Sequence, residues 1–137
     1  MVSKLGTLRV NVDGGARGNP GPAAIAAVVQ DGDGGVLEER SEKIGIATNN
    51  VAEYRALLLG IERAKAFGAG KLKLVGDSEL IVRQVKGEYK VKDETLRGLH
   101  QQVLKALQEF EDWSIEHVRR ESNEEADRLV NEELDKA

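Results

Sequence analysis

Hydrophobic and polar residues alternate in the first third of the chain, and this alternation predicts β-strands. The segment TLRVNVD (residues 7–13) places its apolar side chains on one side and its polar ones on the other, as a half-buried strand does. AAIAAVVQ (23–30) is almost continuously apolar, which is typical of a buried strand, and GVLEERSEKI (35–44) follows after a short turn. Connections this short favour three strands that pair antiparallel to one another.

The spacing of apolar residues then changes to three and four, which indicates helices. Asn50 is predicted to cap the first helix, with Glu53 as its capping-box partner, and Gly68 to end it. Ser122 and Glu125 form a second predicted capping box, at the start of the last helix. The remaining predicted elements are strands at 71–76 and 113–118 and helices at 80–85 and 96–110.

The predicted order of elements is βββαβααβα, an α/β fold. Crossovers through helices require the fourth and fifth strands to run parallel to a neighbouring strand, most simply the first. The sequence therefore predicts a five-stranded mixed sheet with helices on both faces, in a single domain of residues 1–137.

Composition excludes several classes of protein. The chain has no cysteine, which removes disulfides, thiolate zinc sites and a cysteine nucleophile. No apolar run approaches the ~20 residues that a membrane span requires, and MVSKLG is not a secretory signal. We expect a cytoplasmic monomer with no membrane partner. The net charge of −4 means that any nucleic-acid binding must be local or assisted by metal ions.

Four acidic residues follow predicted strands or begin predicted helices: Asp13, Glu53, Asp77 and Asp127. Ligands of open α/β sheets gather at the carboxyl ends of parallel strands, so we expect these carboxylates to converge at one edge. Converging carboxylates repel one another unless hard divalent cations neutralise them, Mg²⁺ or Mn²⁺ above all. Two bound ions roughly 4 Å apart would activate water for attack on a phosphodiester.

Each of these acids also has a purely structural interpretation. Asp13 precedes two glycines and suits a turn, Glu53 suits the capping box, Asp77 suits a helix N-cap and Asp127 suits a solvated helix face. No single acid is specific for chemistry. Their combination with the predicted strand order favours a metal site.

Glycines and short polar residues flank the predicted site. Gly14, Gly15, Gly18 and Gly21 lie in a predicted loop over residues 14–22, which matches neither a P-loop nor a dinucleotide fingerprint. They can let backbone N–H groups approach a nucleic-acid backbone, or simply form a turn. A further set can bind 2′-hydroxyls and phosphates in a minor groove, or serve only as loop and capping residues: Asn19, Thr48, Asn49 and Asn50.

Between Leu8 and Leu134 the chain resembles type 1 ribonuclease H. Four blocks match that family in order and approximate spacing: DGGARGNPGPAA, TNNVAEYRALLLGI, GDSELIVRQVKGEYKVK and VRRESNEEADRL. The resemblance implies hydrolysis of the RNA strand of RNA–DNA hybrids by two divalent metal ions. It places the metal ligands at Asp13, Glu53, Asp77 and Asp127, minor-groove contacts at Asn19, Asn49 and Asn50, and a DNA-phosphate contact at Thr48.

The chain departs from well-known family members in three ways. Their long histidine-bearing loop before the last aspartate is shortened here to RRESNEE, and Arg120 sits where short-loop archaeal-like members carry an arginine; Arg119 is the alternative. We interpret His117 as a strand residue. The basic helix and loop with which many relatives grip the substrate are missing. Glu79 and Arg83 occupy substrate-facing positions where glutamines are common in the family. Competing hypotheses are a non-catalytic hybrid- or RNA-binding module, another nuclease of this fold, and additional activity on double-stranded RNA.

Overall fold

A computed structural model of the protein describes residues 5–136, so the outermost ends of the predicted domain lie outside the described residues. The sheet has five strands in the order β3-β2-β1-β4-β5. The first three pair antiparallel, and β4 runs parallel to both β1 and β5, which confirms the predicted mixed sheet. The strands are β1 (Leu5–Ala16), β2 (Gly21–Gln30), β3 (Val36–Ala47), β4 (Ala69–Gly76) and β5 (Asp112–His117).

Four α-helices connect and follow the strands in the predicted order. They are α1 (Asn49–Ala66), α2 (Glu79–Val85), α3 (Glu94–Leu107) and α4 (Glu124–Asp135), with one turn of 3₁₀-helix at Arg120–Asn123. The third helix ends at Leu107 and not at the predicted position 110. Phe110 lies beyond the end of the helix and is buried. His117 ends β5, which confirms that it is a strand residue.

Helices cover both faces of the sheet, as predicted. α1 packs closely on one face because Gly60 has no side chain: a Cβ there would lie 2.7 Å from Val12 Cγ1 and 2.9 Å from Val10 Cγ1. This face holds the main core, to which Leu8, Tyr54 and many other apolar side chains contribute. α4 covers the opposite face.

β1 is longer than predicted, and the interpretation of residues 14–22 as a loop is largely wrong. β1 extends to Ala16 and pairs with β2 throughout this extension, leaving only the turn at 17–20 between them. β4, by contrast, pairs with β1 only as far as Asn11, opposite Val75. Asp13 is therefore not the last residue of its strand, but it lies just past the point where β4 leaves it.

Both predicted capping boxes are wrong. Thr48 caps α1, its Oγ1 accepting a hydrogen bond from the Val51 amide at 3.2 Å. Because α1 begins at Asn49, Glu53 lies in the second turn and is not required for capping. At α4, Ser122 is part of the 3₁₀ turn and Asn123 holds the N-cap position without a side-chain capping bond. Its amide group is engaged elsewhere, in a network described below.

Candidate metal centre and nucleic-acid cleft

Three of the predicted acids meet at one edge of the sheet. Asp13 comes from β1, Glu53 from α1, and Asp77 directly follows β4. Each offers a carboxylate oxygen, and these oxygens lie within 4.8 Å of one another. The convergence follows from the topology, because β1 and β4 are adjacent and parallel and α1 packs over them.

Asp127 joins this group from the other face of the sheet. It lies in the first turn of α4, is half-buried, and its charge contributes to the raised pKa of Asp13. All four acids line one cleft of about 470 Å³. The three-oxygen cluster does not include Asp127, so the fourth acid lies at its margin.

Burial makes the charge of this cluster costly. Asp13 is 6% exposed, and burial followed by the neighbouring charge of Asp77 raises its pKa from 3.8 to about 7. Burial also raises the pKa of Glu53 well above its ordinary range, and the charges of Asp13 and Asp77 add to the rise. A buried carboxylate is stable as an anion only when a positive partner compensates for lost hydration.

The donor set fits a hard divalent cation. Carboxylate oxygens from four acids, with no sulfur or imidazole among them, are the ligands that Mg²⁺ and Mn²⁺ prefer. The raised pKa of Asp13 and of Glu53 means that a bound cation would recover the cost of ionising both groups. Asp13, Glu53, Asp77 and Asp127 are therefore the residues that would hold such ions.

Gly14 explains how Glu53 comes so close to Asp13. Its amide donates a hydrogen bond to Glu53 Oε1 at 3.2 Å. A Cβ at Gly14 would lie only 2.3 Å from the Ala52 carbonyl oxygen, so any side chain would push α1 away from β1. The N–H of Gly14 thus points to Glu53, and its missing side chain makes room for a helix.

Hydrogen bonds link two of the predicted substrate contacts, Asn19 and Asn49, to each other and to β1. Asn49 Oδ1 accepts a hydrogen bond from the Ala16 amide at 2.9 Å, and Asn19 Oδ1 accepts one from the Asn49 amide at 3.0 Å. These bonds tie the turn after β1 to the start of α1. The Nδ2 groups of Asn19 and Asn49 take part in neither of these bonds, and as amide NH₂ groups they can donate to a ligand.

The predicted contacts divide between two clefts. Gly15 and Asn49 line the acidic cleft together with Asn50. A neighbouring cleft of about 570 Å³ is lined by Asn19 and Thr48 and shares Asn50 with the first. A ligand passing Asn50 would therefore contact both.

The chain is similar to proteins of known structure and family. A reverse transcriptase-like family model matches residues 11–133. The crystal structure of RNase H1 from the archaeon Halobacterium salinarum superposes with a TM-score of 0.94 at 46% identity, covering 96% of this chain and 99% of that one. The chain belongs to the ribonuclease H1 family.

Two further family structures are similar. The N-terminal RNase H domain of a Mycobacterium tuberculosis protein gives a TM-score of 0.91 at 43% identity, covering 94% of both chains. LC11 ribonuclease H1, solved in complex with an RNA/DNA hybrid, gives 0.89 at 44% identity, covering 93% of this chain and 96% of that one. The chain spans 66% of the curated Halobacterium ribonuclease HI and 35% of the curated mycobacterial proteins it matches.

The arginines singled out from the sequence, Arg120 with its alternative Arg119, and Arg83, lie in different places relative to the clefts. Arg120 begins the 3₁₀ turn and lines the acidic cleft, whereas Arg119 precedes that turn. Arg83 lies on α2, outside the residues that line either cleft. It pairs with Glu79 at 3.2 Å and Glu88 at 3.6 Å, so its charge is already compensated.

Within residues 5–136, no helix is long and apolar enough to span a membrane.

Sequence reasoning missed Asn123. It is 2% exposed, and its Nδ2 donates hydrogen bonds to Asp77 Oδ2 at 3.3 Å and to the Val12 carbonyl oxygen at 2.8 Å. The available signal was an asparagine four residues before Asp127, which the predicted capping box at Ser122 obscured. Arg17, Ser78 and Asn131 also line the acidic cleft and were not predicted.

Proposed function

We propose that this protein is an endoribonuclease that hydrolyses the RNA strand of RNA–DNA hybrids by a two-metal-ion mechanism. The observation that carries the proposal is the approach of Asp13, Glu53 and Asp77 oxygens to within 4.8 Å in a ribonuclease H1 fold. The cost of ionising such buried acids has no structural benefit without a cation. Binding a catalytic cation explains why the chain retains them.

The four acids are the proposed ligands. Two Mg²⁺ ions, or Mn²⁺ in their place, would supply activation of the attacking water and stabilisation of the leaving oxygen. The residues of the chain orient this site: the Gly14 amide holds Glu53, and the parallel pair β1 and β4 brings Asp13, just past the end of that pairing, beside Asp77, which follows β4.

Arg120 is the proposed cationic group of the cleft. It is exposed at the margin of the acidic cluster, where its guanidinium can pair with a phosphate oxygen through charge-assisted hydrogen bonds. We assign to it a role in orienting the scissile phosphate or releasing the product phosphate.

The proposed substrate follows the two clefts that share Asn50. Amide donors of Asn19 and Asn49 suit the 2′-hydroxyl and sugar oxygens of a minor groove, and Thr48 suits a DNA phosphate. LC11 ribonuclease H1 binds an RNA/DNA hybrid in the solved complex, which supports the same class of substrate here.

Cleavage of an end-labelled RNA–DNA hybrid in Mg²⁺ or Mn²⁺, beside double-stranded RNA and DNA, tests the proposal. We expect cleavage of the hybrid RNA strand, and a loss of about 1,000-fold or more for Asp77→Asn, because several kcal/mol of charge stabilisation depend on the metal ligands. Asp33→Asn, an exposed acid in the β2–β3 turn, is the matched control and should retain activity.

Other outcomes would redirect the assignment. Hybrid binding without turnover in either metal would contradict hydrolysis and favour a non-catalytic binding module. Full activity of Asp77→Asn would contradict the metal-site assignment. Equal cleavage of double-stranded RNA and of the hybrid would contradict the proposed substrate preference.

A further inference from the structure

A line of polar side chains runs through the interior from Arg9 to Asp77. Arg9 Nε donates to Asn11 Oδ1 at 3.2 Å, and Asn11 Nδ2 donates to Asn123 Oδ1 at 3.0 Å. Asn123 Nδ2 then donates to Asp77 Oδ2 at 3.3 Å and to the Val12 carbonyl oxygen at 2.8 Å. Asn11 is 9% exposed and Asn123 is 2% exposed, so the two amide side chains at the centre of this line are buried.

The direction of every hydrogen bond in this line is fixed. Arg9 can only donate, so the oxygen of Asn11 must face it and the Asn11 amide nitrogen must face Asn123. Asn123 therefore turns its oxygen to Asn11 and its nitrogen to Asp77. The Val12 carbonyl oxygen, which can only accept, independently requires the same orientation.

Asn123 also connects two parts of the proposed metal site. It lies at the junction of the 3₁₀ turn and α4, four residues before Asp127, and it contacts Asp77 at the end of β4. It thus bridges the strand side of the cluster and the helix that carries the fourth acid. Replacing both partners of an amide–amide contact by apolar groups of the same shape can be nearly neutral for stability, so stability alone does not require this buried pair.

We propose that Asn123 is a positioning residue, which holds the Asp77 carboxylate in the orientation that receives the catalytic cation, with Asn11 fixing the direction of its amide. The inference rests on the proposed metal-dependent function. Outer partners of metal ligands fix ligand orientation and are each worth about 10- to 100-fold in metal affinity or activity. The lost donor in Asn123→Ala leaves Asp77 free to rotate.

Calorimetric titration of the full chain with Mn²⁺, in the absence of nucleic acid, tests the role directly. We expect Asn123→Ala to raise the Mn²⁺ dissociation constant about tenfold or more, and to lower kcat on the hybrid while leaving KM for the hybrid unchanged. An unchanged Mn²⁺ dissociation constant would overturn the inference. A kcat/KM loss that arises entirely from KM would overturn it as well.

Leu129→Ala controls for a purely structural effect. Leu129 is a half-buried residue of α4 that packs against the small cluster of Val130, and it does not line the acidic cleft. It should lower the free energy of unfolding while leaving the Mn²⁺ dissociation constant unchanged. If Leu129→Ala weakens Mn²⁺ binding as much as Asn123→Ala at equal loss of stability, the positioning role is wrong.

Asn11→Leu is the second test, and it decides the question if Asn123→Ala does not fold. This variant keeps the number and branching of the side-chain heavy atoms, leaves Asn123 in place and removes the donor that directs its amide. We expect Mn²⁺ affinity between those of the wild type and Asn123→Ala, because the Val12 carbonyl oxygen alone then orients the Asn123 amide; wild-type affinity would contradict the directing role of Asn11.

The two proposals fail in different ways. If the wild type cleaves no hybrid but binds Mn²⁺ about tenfold or more tightly than Asn123→Ala does, the hydrolytic function fails and the positioning role stands. If Asn123→Ala binds Mn²⁺ and cleaves the hybrid like the wild type, the positioning role fails and the hydrolytic function stands.

Discussion

The two faces of the sheet hold their helices in different ways. α1 lies on the main core, and buried residues such as Ala52, Tyr54, Leu57 and Ile61 run along its length. α4 buries only Ala126 and Val130, and the core cluster beneath it contains just three fully buried residues. Burial of apolar area is the main source of stability, at about 25 cal/mol per Å², so α1 has by far the firmer attachment.

Polar contacts at the surface replace apolar packing on the α4 face. Ser41 donates to Glu133 at 2.9 Å, and Arg128 pairs with Glu39 at 3.1 Å, both joining α4 to β3. Arg17 pairs with Asp135 at 2.6 Å beside the cleft. Exposed ion pairs of this type contribute about 0–1 kcal/mol each. Elements with few buried contacts open at lower free energy than the core.

This difference has a consequence for the proposed metal site. Glu53 lies on α1, the more firmly packed helix, and belongs to the three-oxygen cluster. Asp127 lies on α4, the less firmly packed helix, at the margin of that cluster. We infer that Glu53 is in place before any cation binds. Asp127 depends more on the cation to complete its placement.

Charge-removing substitutions in these two acids should separate the two faces most strongly. Glu53→Gln should lower kcat/KM on the hybrid by about 1,000-fold, because a buried ligand inside the cluster is lost. Asp127→Asn should lose only roughly 10- to 100-fold, the range of a supporting group at a metal site. Steady-state kinetics at saturating Mg²⁺ measures both, with unfolding curves as the check on folding. Equal losses would break the comparison.

Sequence reasoning identified the strand order and the convergence of the acids because both depend on long-range features of the pattern. Crossover connections place β4 most simply beside β1, so Asp13 and Asp77 were expected to be neighbours, as they are in the structure. It failed where local signals compete: the glycines after Asp13 were interpreted as a loop, although pairing with β2 keeps them in a strand.

The helix starts were wrong for a related reason. Ser122 and Glu125 fit a capping box as well as any pair, and only the tertiary structure shows that a 3₁₀ turn precedes α4. The role of Asn123 depends on a partner 112 positions away, Asn11. Periodicity carries no information about such a side-chain pair.

The next effect in size concerns the metal-free protein and its dependence on pH. Burial and the charge of Asp77 raise the pKa of Asp13 from 3.8 to about 7, so the folded chain keeps a proton that the unfolded chain releases. The contribution of Asp13 to the free energy of unfolding is therefore complete below about pH 4 and is lost as pH rises to about 7. Glu53, whose pKa is also raised by burial, acts in the same direction.

Urea unfolding in EDTA from pH 4 to pH 8 measures this loss, with Asp13→Asn as the matched variant. The free energy of the wild type should fall relative to that of Asp13→Asn as the pH rises, since the amide cannot ionise. Mg²⁺ at pH 8 should restore stability to the wild type more than to the variant. Parallel curves for the two proteins would show that ionisation of Asp13 does not lower the free energy of unfolding.

The smallest expected effect compares the two faces at neighbouring glycines of β1. A Cβ at Gly14 would lie 2.3 Å from the Ala52 carbonyl oxygen, which is backbone of the firm helix, whereas a Cβ at Gly15 would meet only Val130 Cγ1 at 3.8 Å. Gly14→Ala should therefore cost about 1–3 kcal/mol in the free energy of unfolding, as overpacking of a core does. Gly15→Ala, its matched control, should stay within about 0.5 kcal/mol of the wild type. Urea unfolding at one pH in saturating Mg²⁺ measures both. A similar cost at the two positions would mean that the α4 face is packed as rigidly as the α1 face, against the difference inferred above.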